Sequence, residues 1–169
     1  MVIEACAVTG AQRFRDVMRH FPTGVTVLTT TGPAGPHGMT ANAVMSLSLS
    51  PPSVLAAVHH GTNTHAILRT AATFTVNILA ADQRDCAELF ARSDPAEDPF
   101  RTVHWEPSAV TGDPVLTESL ATFDCHVERR IAVADHSLIV GTVADAAIHR
   151  PDAAPMVFAR SRFQTTTPP

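Results

Sequence analysis

The stretch Gly38-Met-Thr-Ala-Asn-Ala-Val-Met-Ser-Leu-Ser-Leu-Ser-Pro-Pro52 constrains the fold more than any other. From Met39 to Ser50 it alternates with period two. Met39, Ala41, Ala43, Met45, Leu47 and Leu49 fall on one face, and Thr40, Asn42, Ser46, Ser48 and Ser50 fall on the other, with Val44 as the single apolar intruder. This predicts one extended strand with one face buried. Pro51-Pro52 ends it, because proline cannot donate to a ladder. The polar face carries hydroxyls and an amide but no charge, so it suits a ligand with carbonyls, ring nitrogens and hydroxyls.

The remaining segments supply partners for such a strand. Val25 to Thr31 is rich in β-branched residues, and the turn cluster Gly32 to Gly38 joins it to the central stretch as a hairpin. Those glycines lack the Lys-Ser/Thr of a P-loop and form no GxGxxG, which removes a phosphate-loop reading. Ser53 to Val58 is a continuous apolar run, predicted as a strand buried on both faces. Phe74-Thr-Val-Asn-Ile-Leu79 alternates, as do Ala121 to Ile131 and Ser137 to Ile148 across the turn Ala134-Asp135-His136, and Met156 to Phe163 closes the set.

Helices are predicted only between strands. One runs from about Ala11 to His20, capped by Thr9, with Phe14, Val17, Met18 and Phe21 in one stripe. A second starts at Thr62-Asn63-Thr64, any of which can cap it. A third follows Asp82 as N-cap, runs to about Arg92 and buries Cys86, Leu89 and Phe90. Ser93 to Pro114, with Trp105, reads as a long loop, and its acidic run Asp94 to Pro99 as solvated. Many short antiparallel strands with few helices predict a mainly β fold, a closed or split barrel with covering helices. The 169 residues are expected to form one domain, with loose tails at about 1–9 and 164–169.

Composition narrows the function classes. With 45% hydrophobic and 17% charged residues the chain is globular, not disordered. All 12 basic residues are arginine, and only Arg129-Arg130 are clustered, which argues against a nucleic-acid surface. The first residues lack the basic and apolar regions of a signal peptide, and no apolar run approaches the roughly 18 residues that cross a bilayer. Cys6, Cys86 and Cys125 are odd in number with no CxxC, which suits reduced thiols in the cytoplasm. His59 and His60 are adjacent, so on a strand they point to opposite faces, and no HxxxH or Cys/His spacing exists; no metal site is expected. The serines of the central strand have no GxSxG elbow for hydrolysis.

The helix start at Thr62-Asn63-Thr64 is the one place that suits a phosphate, because a helix N-terminus presents unpaired N–H groups and partial positive charge. On the residues alone an ordinary N-cap is the better explanation.

The central stretch resembles the signature of the flavin reductase-like family, the small split-barrel NAD(P)H-dependent flavin reductases that supply reduced flavin to two-component monooxygenases. Phe21-Pro-Thr-Gly-Val25, the strand Phe74 to Leu79, Ala134-Asp-His-Ser137 and the closing Phe158-Ala-Arg-Ser-Arg-Phe163 resemble further family segments, so the resemblance spans about Phe14 to Phe163. It implies an FMN-binding split barrel of Greek-key type. It also implies that Met39, Thr40, Ala41, Asn42, Ala43, Ser46 and Ser48 wrap the isoalloxazine and ribityl of FMN or FAD, with Thr62, Asn63 and Thr64 at the phosphates. Thr23, Gly24, Asp135 and His136 are implied at the nicotinamide, with His136 as the catalytic side chain. NADH is expected over NADPH, since no paired arginine cluster marks a 2′-phosphate pocket. A partner monooxygenase and a homodimer with its site near the subunit interface follow from the same resemblance. Relatives carry Gly-Asp-His where this chain has Ala134. If that position needs φ > 0, alanine costs on the order of 1 kcal/mol.

The reaction implied is hydride transfer between cofactors that carry the chemistry themselves, so no nucleophile or triad is required. Two rival classes stand beside it: a split-barrel flavin- or haem-binding module acting as carrier or sensor, and an FMN oxidase acting on a small substrate. The oxidase is weakened by the lack of any acid or base beyond His136.

Overall fold

The fold is described by a computed structural model covering residues 10–92 and 98–166. One seven-stranded antiparallel sheet organises it. From edge to edge the order is β3 (Gly35–Ala41), β2 (Thr26–Gly32), β6 (Thr73–Ile78), β9 (Ala121–Val133), β10 (His136–Ile148), β5 (Pro52–His59) and β4 (Val44–Leu49). The two edge strands are consecutive in the chain, joined only by Asn42-Ala43. Three virtual bonds from Ala41 to Val44 reach about 11 Å, whereas seven flat strands place their edges about 29 Å apart. The sheet must therefore roll until its edges almost meet. No ladder pairs β3 with β4, so the barrel stays split, as the sequence predicts.

This corrects the expectation of one strand from Met39 to Ser50. The link at Asn42-Ala43 resets the alternation, and a register shift between Ser46 and Ser48 disturbs it again. Ala41 is buried, but Met45, Leu47 and Leu49 are exposed, Leu49 at 88%. Val44, the intruder of the pattern, packs against the core instead.

The barrel interior holds Leu28, Val54, Ala56, Val58, Phe74, Val76, Cys125 and Ile139. Gly141 is required there, since a Cβ on it would lie 2.6 Å from Cζ of the buried Phe74 ring. A second cluster lies outside β2 and β6, where Val25, Val27, Leu79, Leu116 and Met156 pack with Phe90 and Trp105. It is covered by α3 (Arg84–Phe90), by the hairpin of β7 (Trp105–Pro107) and β8 (Pro114–Leu116), and by β11 (Met156–Ala159), which pairs with both β1 (Thr23–Gly24) and β12 (Arg162–Thr165). Buried Asn77 pins this layer. Its Nδ2 donates to Val27 O at 3.1 Å and to Thr29 Oγ1 at 2.9 Å, and its Oδ1 accepts from Leu116 N at 2.8 Å.

Several local expectations change. The stretch predicted as a long loop contains β7, β8 and a short 3-10 turn, Pro99–Arg101; Trp105 Nε1 donates to Phe100 O. Most of the acidic run lies outside the described residues, as do Thr9 and the first nine residues. Asp82 does not cap α3. Gln83 precedes it, and Asp82 pairs with Arg150 at 2.6 Å, which holds its carboxyl below the usual range. β12 reaches Thr165, so Gln164 and Thr165 are strand and not tail. The stripe Phe14, Val17, Met18 and Phe21 on and after α1 (Ala11–Met18) is exposed. Ser53 to Val58 is buried on one face only, because Leu55 and Ala57 are half-exposed. Among the described residues no helix is long and apolar enough to cross a membrane.

Candidate active site

A cavity of about 570 Å³ opens where the end of β3 meets the turn before α2 (Asn63–Leu68), within the size range of small-molecule sites. One wall is Met39, Thr40 and Asn42, and the next is Gly61 to Thr64. The turn is built by Thr62. Its hydroxyl accepts from His65 N at 3.1 Å as the N-cap and donates to His59 O at 3.0 Å, so the cap is locked to the end of β5. Thr40 donates to Ala87 O at 2.6 Å, which fixes α3 over the same wall and commits its one hydroxyl proton. Phe90, Phe100, Phe158 and Phe163 also line the cavity, with Arg92, Asp98 and His37 as its ionisable groups. Gly38 lets Phe90 approach, since a Cβ there would meet the ring at 2.8 Å.

The chemistry of this lining matches a flavin nucleotide. Neutral amide and hydroxyl groups suit a heteroaromatic ring and its polyol, aromatic side chains in the same lining suit stacking, and a helix start with Arg92 suits phosphate.

The flavin reductase-like domain model matches residues 18–167. The chain belongs to the flavin reductase-like family. An FMN reductase (NADH), RutF, of Escherichia coli is 36% identical over 143 residues, 85% of each chain. The NADH:FAD oxidoreductase SgcE6 of Streptomyces globisporus, solved with NAD and FAD fragments, superposes with a TM-score of 0.87 at 37% identity, covering 97% of this chain and 98% of that one. The styrene monooxygenase flavin reductase of Pseudomonas putida gives 0.82 at 30% identity, covering 92% and 98%.

Within the family's fold, the residues expected at the flavin divide. Met39, Thr40, Asn42, Thr62, Asn63 and Thr64 line the cavity. Ala41 turns into the core, while Ala43, Ser46 and Ser48 do not line it, because the chain leaves the site at the Asn42-Ala43 link. The four residues expected at the nicotinamide, Thr23, Gly24, Asp135 and His136, do not line it either. Asp135 and His136 form their own pair, with His136 Nδ1 2.7 Å from Asp135 Oδ1 and His59 Nε2 3.7 Å from Asp135 Oδ2. That hydrogen bond to His136 holds the Asp135 carboxyl below its usual range.

In register, His136 lies opposite His59 and Val133, so it shares the outward face of the sheet with Met45, Leu55, Ala57, Leu138, Val140 and Ile131. His136 therefore stands at the rim of an apolar face. The aromatic wall and Arg92 were not singled out as ligand-facing by the sequence. Phe158 and Phe163 are cross-strand partners in the β11–β12 hairpin, a pairing that the closing segment hints at, but nothing in one dimension joins them to Phe90 and Phe100.

Neither described thiol, Cys86 or Cys125, lines the cavity. Burial pushes Cys86 up to about 11 and Cys125 up to about 12, so both stay protonated and inert.

Proposed function

We propose that the chain is an NADH-dependent flavin reductase that passes reduced FMN or FAD to a partner monooxygenase. The observation that carries this is the cavity in which the Met39–Asn42 wall and the Thr62-capped turn converge with four phenylalanines, in a chain of this family. Met39, Thr40 and Asn42 flank the isoalloxazine and ribityl, and Thr62, Asn63 and Thr64 receive the phosphate. The bound cofactors supply hydride transfer from nicotinamide to flavin. The chain's work is to hold the rings stacked and to exclude water between them. In this reading Asp135 keeps a proton on Nδ1 of His136, fixing its tautomer and leaving Nε2 for the nicotinamide carboxamide.

The chain acts as a homodimer in this reading. The outward face of β4, β5, β10 and β9 carries Met45, Leu55, Ala57, Leu138, Val140 and Ile131 in adjacent register rows. Met45 and Ile131 of that face are exposed, and His136 stands at its edge. A second copy packed there covers the apolar rows and brings the His136 turn into a closed site. The reduced thiols Cys86 and Cys125 fit a cytoplasmic location.

The test is NADH oxidation at 340 nm with FMN and then FAD at limiting oxygen. Rapid flavin-dependent turnover is expected. Protein that binds flavin and is not reduced by NADH or NADPH would replace the reductase by a carrier or sensor.

A further inference from the structure

Three side chains outside the cavity meet at one end of the barrel. Ser137 Oγ lies 2.9 Å from His65 Nε2 and 3.2 Å from His60 Nε2, and the two imidazoles stand 4.7 Å apart. Ser137 and His65 are buried, while His60 is exposed. They come from the residue that follows β5, the first turn of α2 and the start of β10. A serine hydroxyl has a single proton. With both rings neutral, one ring donates to Oγ and Oγ–H donates to the other. Two imidazoliums would leave Oγ–H without its ring acceptor and set like charges side by side.

The backbone around this cluster connects two functional turns. His60 N donates to Asp135 O at 2.9 Å, in the turn that carries His136. His65 N donates to the Thr62 cap, in the turn that lines the cavity. Ser137 is thus the side-chain tie between them.

We propose that the His60–Ser137–His65 cluster is a positioning device that holds the Gly61–Thr64 wall of the cavity in its flavin-binding geometry, and that it releases when both histidines are protonated. This rests on the cavity being the flavin site. The charged and titratable groups facing His65 are His60 and His59 from the end of β5 and Arg69 from its own helix; Arg130 of β9 donates to Leu68 O at the far end of α2. Burial first, then the charges of His60, Arg69 and His59, lower the His65 pKa from 6.5. The fold favours neutral His65, so its contribution is complete above 6.5 and is lost as pH falls through the lower folded value.

The experiment is direct flavin binding, read by quenching of FMN and FAD fluorescence at pH 8 and across the acid range. It compares wild type, Ser137→Ala and His65→Gln, with circular dichroism as the check on folding. Wild type is expected to bind at pH 8 and to weaken on acidification. Ser137→Ala should bind about tenfold more weakly at pH 8. His65→Gln keeps a neutral hydrogen-bonding group, so it should bind as wild type at pH 8 and lose the acid weakening. An acid limb as steep in His65→Gln as in wild type overturns the proposal, as does an unaltered Kd in folded Ser137→Ala. Wild type that binds no flavin at any pH removes the functional reading along with it, a result distinct from variants that behave as wild type.

Discussion

The two halves of the main sheet share one interior but differ outside it. The strands β2, β6 and the first half of β9 are buried on both faces. Val27, Thr29, Asn77, Thr122 and Asp124 point outward yet are all below 8% exposure, because α3 and the smaller sheets lie over them. The strand β5 and the first half of β10 alternate buried residues with more exposed ones, β4 has none buried, and the outward rows are apolar at Met45, Leu55, Ala57, Leu138 and Val140 between polar ends at His59, His136 and Thr142. The covered half shows an outward face that is mostly polar and satisfied within the chain: Asp124 accepts from Thr75 and Ser108, and Asn77 donates to Thr29. The bare half carries apolar rows without such a layer, with Met45 and Ile131 exposed at 56% and 46%. A contiguous apolar face of this kind marks an interaction surface.

The sharpest way to break the comparison is to place the same charge on each half. Val27→Glu buries an unpaired carboxylate at a site with no exposure, and is expected to cost more than about 4 kcal/mol and leave no folded protein. Ile131→Glu lies on the bare half. It should fold with the wild-type circular dichroism spectrum but run as a monomer in light scattering, with flavin reductase activity reduced. A fully active monomer, whether variant or wild type, would remove the second copy from the reading.

A smaller effect tests how the covered half is held. Asn77→Ala deletes both donors to Val27 O and Thr29 Oγ1 and the acceptor of Leu116 N. With those groups left buried, the expected loss is about 2–4 kcal/mol, read from the urea midpoint. An unchanged m-value would show that the whole sheet still unfolds together. A loss under about 0.5 kcal/mol would mean that the β7–β8 layer is not anchored through this amide.

The contrast also explains what was legible in the sequence. Period-two alternation located β6, β9 and β10, a continuous apolar run located β5, and capping residues located the Thr62-Asn63-Thr64 start of α2, because all of these signals are local. Alternation states which residues share a face, not whether anything covers that face. Met45, Leu47 and Leu49 were therefore read as core, although no element of the described chain packs over them. The Asn42-Ala43 break was hidden for a related reason, since a two-residue link carries an uninterrupted alternation from one sheet edge to the other. The cavity's aromatic wall and the His60–Ser137–His65 cluster join residues more than 60 positions apart, and only the rolled sheet brings them together. Asp82 had the composition of a cap, but its ion pair with Arg150 is a long-range contact that propensity does not register.

The smallest prediction concerns the turn that ends the bare half. Ala134 adopts φ 51°, the left-handed region that the sequence comparison with Gly-Asp-His anticipates. Alanine there costs about 1–2 kcal/mol relative to an unstrained conformation, whereas glycine takes it freely but brings about 0.5–1 kcal/mol of extra unfolded-state entropy. Ala134→Gly should therefore stabilise by about 0.5–1 kcal/mol and raise Tm by about 2 °C. A Tm that stays level or falls would show that the Asp135–His136 pair and the bond from His60 N to Asp135 O already hold the turn at no net cost. The sign also bears on the site. A turn that relaxes without shifting His136 leaves the KM for NADH unchanged, whereas a KM that moves with Tm would mean that the strained alanine sets where His136 stands.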